Sequence, residues 1–96
     1  MKFRLHPAAR TEVFEAIRYY EREKRGLGCK FAGRVREGIG QVVRFPHAWQ
    51  RVEGGCRRYR LRRFPYGLVY RVLGDDVLFV AVMHLSRNPG YWLNRL

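Results

Sequence analysis

Ninety-six residues carry 20 Lys and Arg against 8 Asp and Glu, a formal net charge of +12, and 47% of them are apolar. A chain of that length builds one core and buries about two thirds of its unfolded surface, which excludes a deep enclosed pocket; the apolar content excludes a disordered tail. Apart from Lys2, Lys24 and Lys30 every base is arginine, the residue that makes planar, bidentate contacts to phosphate and carboxylate, so an acidic partner is expected: nucleic acid, an anionic surface or an acidic protein.

A single domain over residues 1–96 is expected. Lys2 to Leu5 alternates polar and apolar and reads as a short strand ended by His6-Pro7. Pro7 suits the first position of a helix, and Ala9, Val13, Ile17 and Tyr20 recur at three- and four-residue spacing, which predicts a helix from Ala8 to about Lys24. Arg25-Gly26-Leu27-Gly28 is the stop. Phe31, Val35, Ile39 and Val42 form the stripe of a second helix, from about Cys29 to Arg44. Gly33, Gly38 and Gly40 each cost that helix roughly 1 kcal/mol against alanine, a cost consistent with close packing on the first helix.

Phe45 to Gly55, with Pro46, Trp49 and Gly54-Gly55, reads as a loop. Three strands follow, Cys56 to Arg63, Leu68 to Leu73 and Val77 to His84, separated by turns at Phe64-Pro65-Tyr66-Gly67 and Gly74-Asp75-Asp76. Asn88-Pro89 resembles an N-cap and first helical residue, predicting a short tail helix with Tyr91 and Trp92. The fold class is therefore α+β: β-α-α-β-β-β with a short C-terminal helix, the αα-hairpin packed on one face of a twisted antiparallel sheet.

A turn centred on Pro65-Tyr66 sets Leu61 against Tyr70, Tyr59 against Val72 and Arg60 against Arg71. Period-two alternation then places Tyr59, Leu61, Leu68, Tyr70 and Val72 on the core side and Arg58, Arg60, Arg62 and Arg71 on the other. Opposed arginines repel, and a bound anion would relieve them; solvated arginines that splay apart would also carry little cost. For the last strand, a two-residue turn puts Val77, Phe79, Ala81 and Met83 on the core side and Leu78, Val80, Val82 and His84 beside the arginines; a turn one residue longer exchanges the sets. Either way an apolar strip needs cover, from the tail or from a partner.

Cys29 and Cys56 stand outside any CxxC pair, the first ten residues lack the apolar run of a signal peptide, and no stretch approaches a membrane span. A cytoplasmic protein with two free thiols is the simplest reading, with no membrane partner. There is no Gly-rich phosphate loop, metal-spaced Cys/His cluster or nucleophile elbow, so neither a cofactor nor a metal is expected. One chemistry that needs no carboxylate or metal is RNA cleavage, in which arginine stabilises the charged phosphorane.

The run Arg62-Arg63-Phe64-Pro65-Tyr66-Gly67-Leu68-Val69-Tyr70, then Val80-Ala81-Val82-Met83-His84 and Arg87-Asn88-Pro89-Gly90-Tyr91-Trp92, resembles the C-terminal half of RelE/ParE toxins. His6-Pro7-Ala8-Ala9 and Tyr19-Tyr20-Glu21 through Gly26-Leu27-Gly28 resemble their first half. The resemblance implies a growth-inhibiting toxin, of the plasmid-stabilisation kind, held inactive by a cognate acidic, partly disordered antitoxin. It leaves two targets open, the ribosome with its messenger RNA and DNA gyrase. A RelE-like ribosome-dependent nuclease would use Arg58, Arg60, Arg87, Tyr91 and Trp92; Gly67 stands where RelE carries an arginine, so that set is incomplete. The resemblance favours a ParE-like gyrase inhibitor. The arginine face and the tail supply the expected target contacts, Arg58, Arg60, Arg62, Arg71, His84 and Arg87, and the apolar strip with Trp92 the expected antitoxin contacts, Leu78, Val80, Val82 and Trp92. A basic nucleic-acid-binding module without toxicity, and an inactive remnant of a toxin, are the other classes.

Overall fold

His6-Pro7 turns the chain from strand into helix. The His6 ring takes the usual place of a serine or aspartate cap, its Nδ1 accepting the Ala8 amide at 3.0 Å, and Pro7 opens the helix. The computed structural model describes residues 1–96. Strand β1 (Lys2–Leu5) leads to helices α1 (Pro7–Glu23) and α2 (Leu27–Arg44), then to strands β2 (Gln50–Val52), β3 (Cys56–Arg60), β4 (Tyr66–Leu73) and β5 (Asp76–His84). The expected α+β order holds.

At the hairpin between the helices, the Glu21 carboxylate accepts the amides of Gly26 and Gly28 and so caps the positive end of α2. Gly28 is a contact point: a Cβ there would sit 2.6 Å from the Ile17 carbonyl oxygen of α1. Gly38 makes the other close approach, to Leu68 and the Tyr59 ring of the sheet. Gly33 and Gly40 have nothing nearby, so the expected role of the helix-two glycines falls to Gly28 and Gly38, and Gly38 serves the sheet and not the first helix.

The five strands run in the order β1-β5-β4-β3-β2. Their pairing corrects the all-antiparallel expectation, because β1 lies parallel to β5 at one edge. The opposite edge is β2, in the stretch that reads as loop because three residues are too few to show alternation. The β3–β4 register also differs from expectation: Tyr59 pairs with Leu68 and Arg60 with Gly67. The hairpin turns two residues earlier than Pro65-Tyr66 and moves the register by four. Four is even, so the sorting into faces survives while the opposition of Arg60 and Arg71 does not; they stand four residues apart along the strands, about 13 Å.

Strand β5 contains a bulge. Val69 pairs with Ala81 but Tyr70 pairs with Phe79, leaving Val80 as the extra residue. The bulge divides the strand between faces in a way neither expected turn length allows. Val77, Phe79 and Val82 join the core beneath the helices, with Phe31, Tyr59 and Leu68. Val80, Ala81 and Met83 lie on the other side with Cys56, Val69 and Trp92.

The expected tail helix is replaced by a series of turns ending in one 3-10 turn, Leu93–Arg95. Gly90, at φ +82°, breaks any helix begun at Pro89, and the Glu53 carboxylate occupies the space where a Cβ would lie. No helix of the chain is long and apolar enough to cross a membrane.

Candidate functional site

Beyond Leu5, β1 no longer accompanies β5, and the bulge exposes backbone groups on that open edge. The His6 amide donates to the Phe79 carbonyl at 2.8 Å. The Arg95 Nη1 donates to the Val80 carbonyl at 3.1 Å, and the Val82 amide donates to Glu12 Oε1 at 3.0 Å. Glu12 is the centre of this clasp. Its carboxylate also accepts the Tyr91 hydroxyl at 2.7 Å and both terminal nitrogens of Arg95 at 2.9 and 3.1 Å, the bidentate geometry that makes arginine–carboxylate pairs strong. Arg87 stacks on the Tyr91 ring at 3.7 Å and lies 3.6 Å from Glu12. One carboxylate of α1 thus ties the last dozen residues to the sheet edge.

The clasp holds the tail over the sheet face away from the helices. Trp92 is 2% exposed there, packed with Val69, Val80 and Met83. The Arg58 stem lies across Gly67, where a Cβ would meet it at 2.8–2.9 Å, and its Nη2 reaches Gln50 Oε1 at 3.2 Å. The buried Arg58 Nε and Trp92 Nε1 have no hydrogen-bond partner.

These positions revise the expected sites. Val80, Val82 and Trp92 are buried and Leu78 packs at the margin of the same cluster, so they form no open strip for an antitoxin; the chain's own tail covers it, and Val82 belongs to the opposite face. The expected arginine face is dispersed. Arg58 is half-buried under the tail and Arg60 is exposed. Arg62, beyond the end of β3, turns to the helix side, 3.6 Å from Glu37 of α2. Arg71 is half-buried at the Cys56 end, where burial pushes the thiol up and the Arg71 charge opposes that shift. His84 faces α1, edge-on to Tyr66 at 5.1 Å, with Nδ1 2.7 Å from Ser86 Oγ. Arg87 belongs to the clasp.

The nuclease candidates fare likewise. The Tyr91 hydroxyl rises well above the ordinary tyrosine range, first through burial and then because it donates to the Glu12 carboxylate. A phenol held in that way keeps its proton near neutrality. Glu12 and Arg95 were the residues that sequence reasoning missed. Glu12 had a signal: three residues after Ala9 and four before Ala16, it lies on the buried stripe of α1, where a carboxylate requires partners. Arg95 had none.

The comparisons agree with this architecture. The family model described as ParE toxin of type II toxin-antitoxin system, parDE, matches residues 3–89. The chain therefore belongs to the ParE toxin family, within the RelE/ParE superfamily, and is a type II toxin. Among solved structures it is similar to a chain of the chromosomal ParDE TA system from P. aeruginosa, with a TM-score of 0.78 and 18% identity, covering 88% of this chain and 95% of that one. No curated protein matches it in sequence. Membership of a ParDE system implies an antitoxin partner.

Proposed function

We propose that this toxin inhibits DNA gyrase by binding it and is not a nuclease. The observation that carries the reading is the commitment of Tyr91 to Glu12 beside a buried Trp92, which leaves the candidate nuclease residues without a common open surface. Arg60, exposed at the end of β3, and Arg71 are the target contacts in this reading. Purified toxin is expected to block supercoiling of relaxed plasmid by gyrase while leaving translation in an extract intact. Cleaved messenger RNA with normal supercoiling would overturn it in favour of the RelE-like reading. A folded Arg60→Ala, Arg71→Ala double variant is expected to lose the inhibition.

The antitoxin docks, in the same reading, on the helical hairpin. A groove of about 510 Å³ runs between β1, α1 and α2, floored by Val13, Ile17, Val35 and Ile39, with Phe14 48% exposed at its lip. Arg4, Arg10 and Arg36 rim it, and no carboxylate lines it. An acidic segment with apolar anchors complements both features; a second copy of a +12 chain is repelled. Phe14→Glu is expected to abolish binding of the antitoxin encoded beside the toxin while toxicity persists. Unchanged binding would move the docking site elsewhere.

A further inference from the structure

At the β2 edge of the sheet, away from the clasp and the hairpin groove, Arg51 stands directly opposite Arg57. It is the only place in the sheet where two arginines face each other across paired strands. Such partners share a face with Cβ atoms about 5 Å apart, and their like charges destabilise the pairing. Both line a cleft of about 380 Å³, with His47 from the preceding loop beside them and no carboxylate in its walls. The chain's ion pairs engage Arg34, Arg62, Arg87 and Arg95 and leave Arg51 and Arg57 uncompensated. Arg57 is also held in place: its Nη1 donates to the Trp49 carbonyl at 2.8 Å, which fixes one arm of the guanidinium beside the cleft that the residue lines. The loop that carries His47 is tied to the floor, where the Tyr70 hydroxyl donates to the Pro46 carbonyl at 2.6 Å.

We infer that the Arg51–Arg57 cleft binds a phosphodiester of a nucleic-acid backbone. Two adjacent forks offer more donors than the two oxygens of a carboxylate use, and suit a tetrahedral oxyanion. The cleft lies at the β2 edge of the sheet, a place that a continuous strand can reach without entering the body of the protein. A bound phosphate would remove the repulsion that the register imposes. The inference is independent of the gyrase reading, since it concerns phosphate contact and not the enzyme inhibited.

The test uses the intact toxin and labelled duplex DNA and single-stranded RNA of equal length, titrated over a range of salt. Arg51→Gln is compared with Arg22→Gln, which removes the same charge from the exposed side of α1. Arg51→Gln is expected to weaken binding about tenfold and to lower the salt slope by about one phosphate contact, while Arg22→Gln changes both much less. The tighter of the two nucleic acids names the source of the phosphate. Inorganic phosphate should raise the Tm of wild type and not of Arg51→Gln. Equal losses in the two variants would reduce the effect to overall charge and overturn the site. Stabilisation by inorganic phosphate with nucleic-acid binding unaltered in Arg51→Gln would overturn the backbone assignment.

Discussion

Glu12 is the residue on which the tail depends. Its loss leaves the Arg95 guanidinium and the Val82 amide without their common acceptor, and a buried donor left unmatched costs about 1–3 kcal/mol. Glu12→Gln keeps an oxygen for Val82 but not the charge for Arg95. In a Trp49→Phe background, where Trp92 is the only indole, its fluorescence is expected to shift to the red and Tm to fall. An unmoved spectrum would show that Trp92 packing alone retains the tail. Leu61 and Arg58 separate core from cover. Leu61→Asp places a charge in the helix-side core and is expected to unfold the domain. Arg58→Ala strips the stem from Gly67 and is expected to cost about 1–2 kcal/mol, whereas Arg58→Met keeps the stem, removes the unmatched Nε and stays within about 0.5 kcal/mol of wild type. Thermal melts decide both; a methionine variant as weak as the alanine one would assign the effect to the charge.

Among the elements, α2 is seated by its buried stripe, Phe31, Val35 and Val42, and by the close approach of Gly38 to the sheet. Gly38→Ala drives a Cβ against Leu68 and Tyr59 at 2.8–2.9 Å, and such overpacking costs about 1–3 kcal/mol. Gly40→Ala meets nothing and gains up to about 1 kcal/mol of helix propensity. Opposite changes in Tm from two glycines of one helix, two residues apart, are the expected result; equal changes would show that α2 does not sit against the sheet there. The stripe of α1 and the alternation of β3 and β4 were legible because each depends on period alone. The bulge at Val80 was not, because one extra residue in an all-apolar strand leaves no mark in the pattern. Nor was the tail, whose turns depend on Gly90 and on Glu53, a residue far away in the chain.

For the molecule as a whole, the tyrosines define an alkaline limit. Burial pushes the Tyr70 hydroxyl from 10.0 up to about 12, and Tyr91 rises as well. A raised folded-state value means the neutral form is favoured by folding. That stability is fully present below pH 10 and is lost as the pH rises through about 12. Tm is therefore expected to hold between neutrality and pH 9, then fall steeply, with tyrosinate absorbance appearing in part only on unfolding. Free titration of all six tyrosines in the folded protein would contradict the burial of Tyr70. The net charge acts at the same scale: at +12, association with any acidic partner is expected to weaken as salt rises.

Charge, helix stripes and strand parity are local properties, and the sequence by itself determined them: a basic α+β domain, two helices on a sheet, and the residues that face them. The resemblance of its hairpin and tail pointed to the toxin family as well. Register, the bulge and the path of the tail are long-range properties. They depend on which backbone groups remain unpaired once the strands have met, and only the tertiary structure decided them. The open edge of β5 needed a donor and an acceptor, and it found them in Arg95 and Glu12, 83 residues apart in the chain. The same closure covers Val80 and packs Trp92 against it, while Phe14 and Arg51 stay exposed elsewhere on the surface.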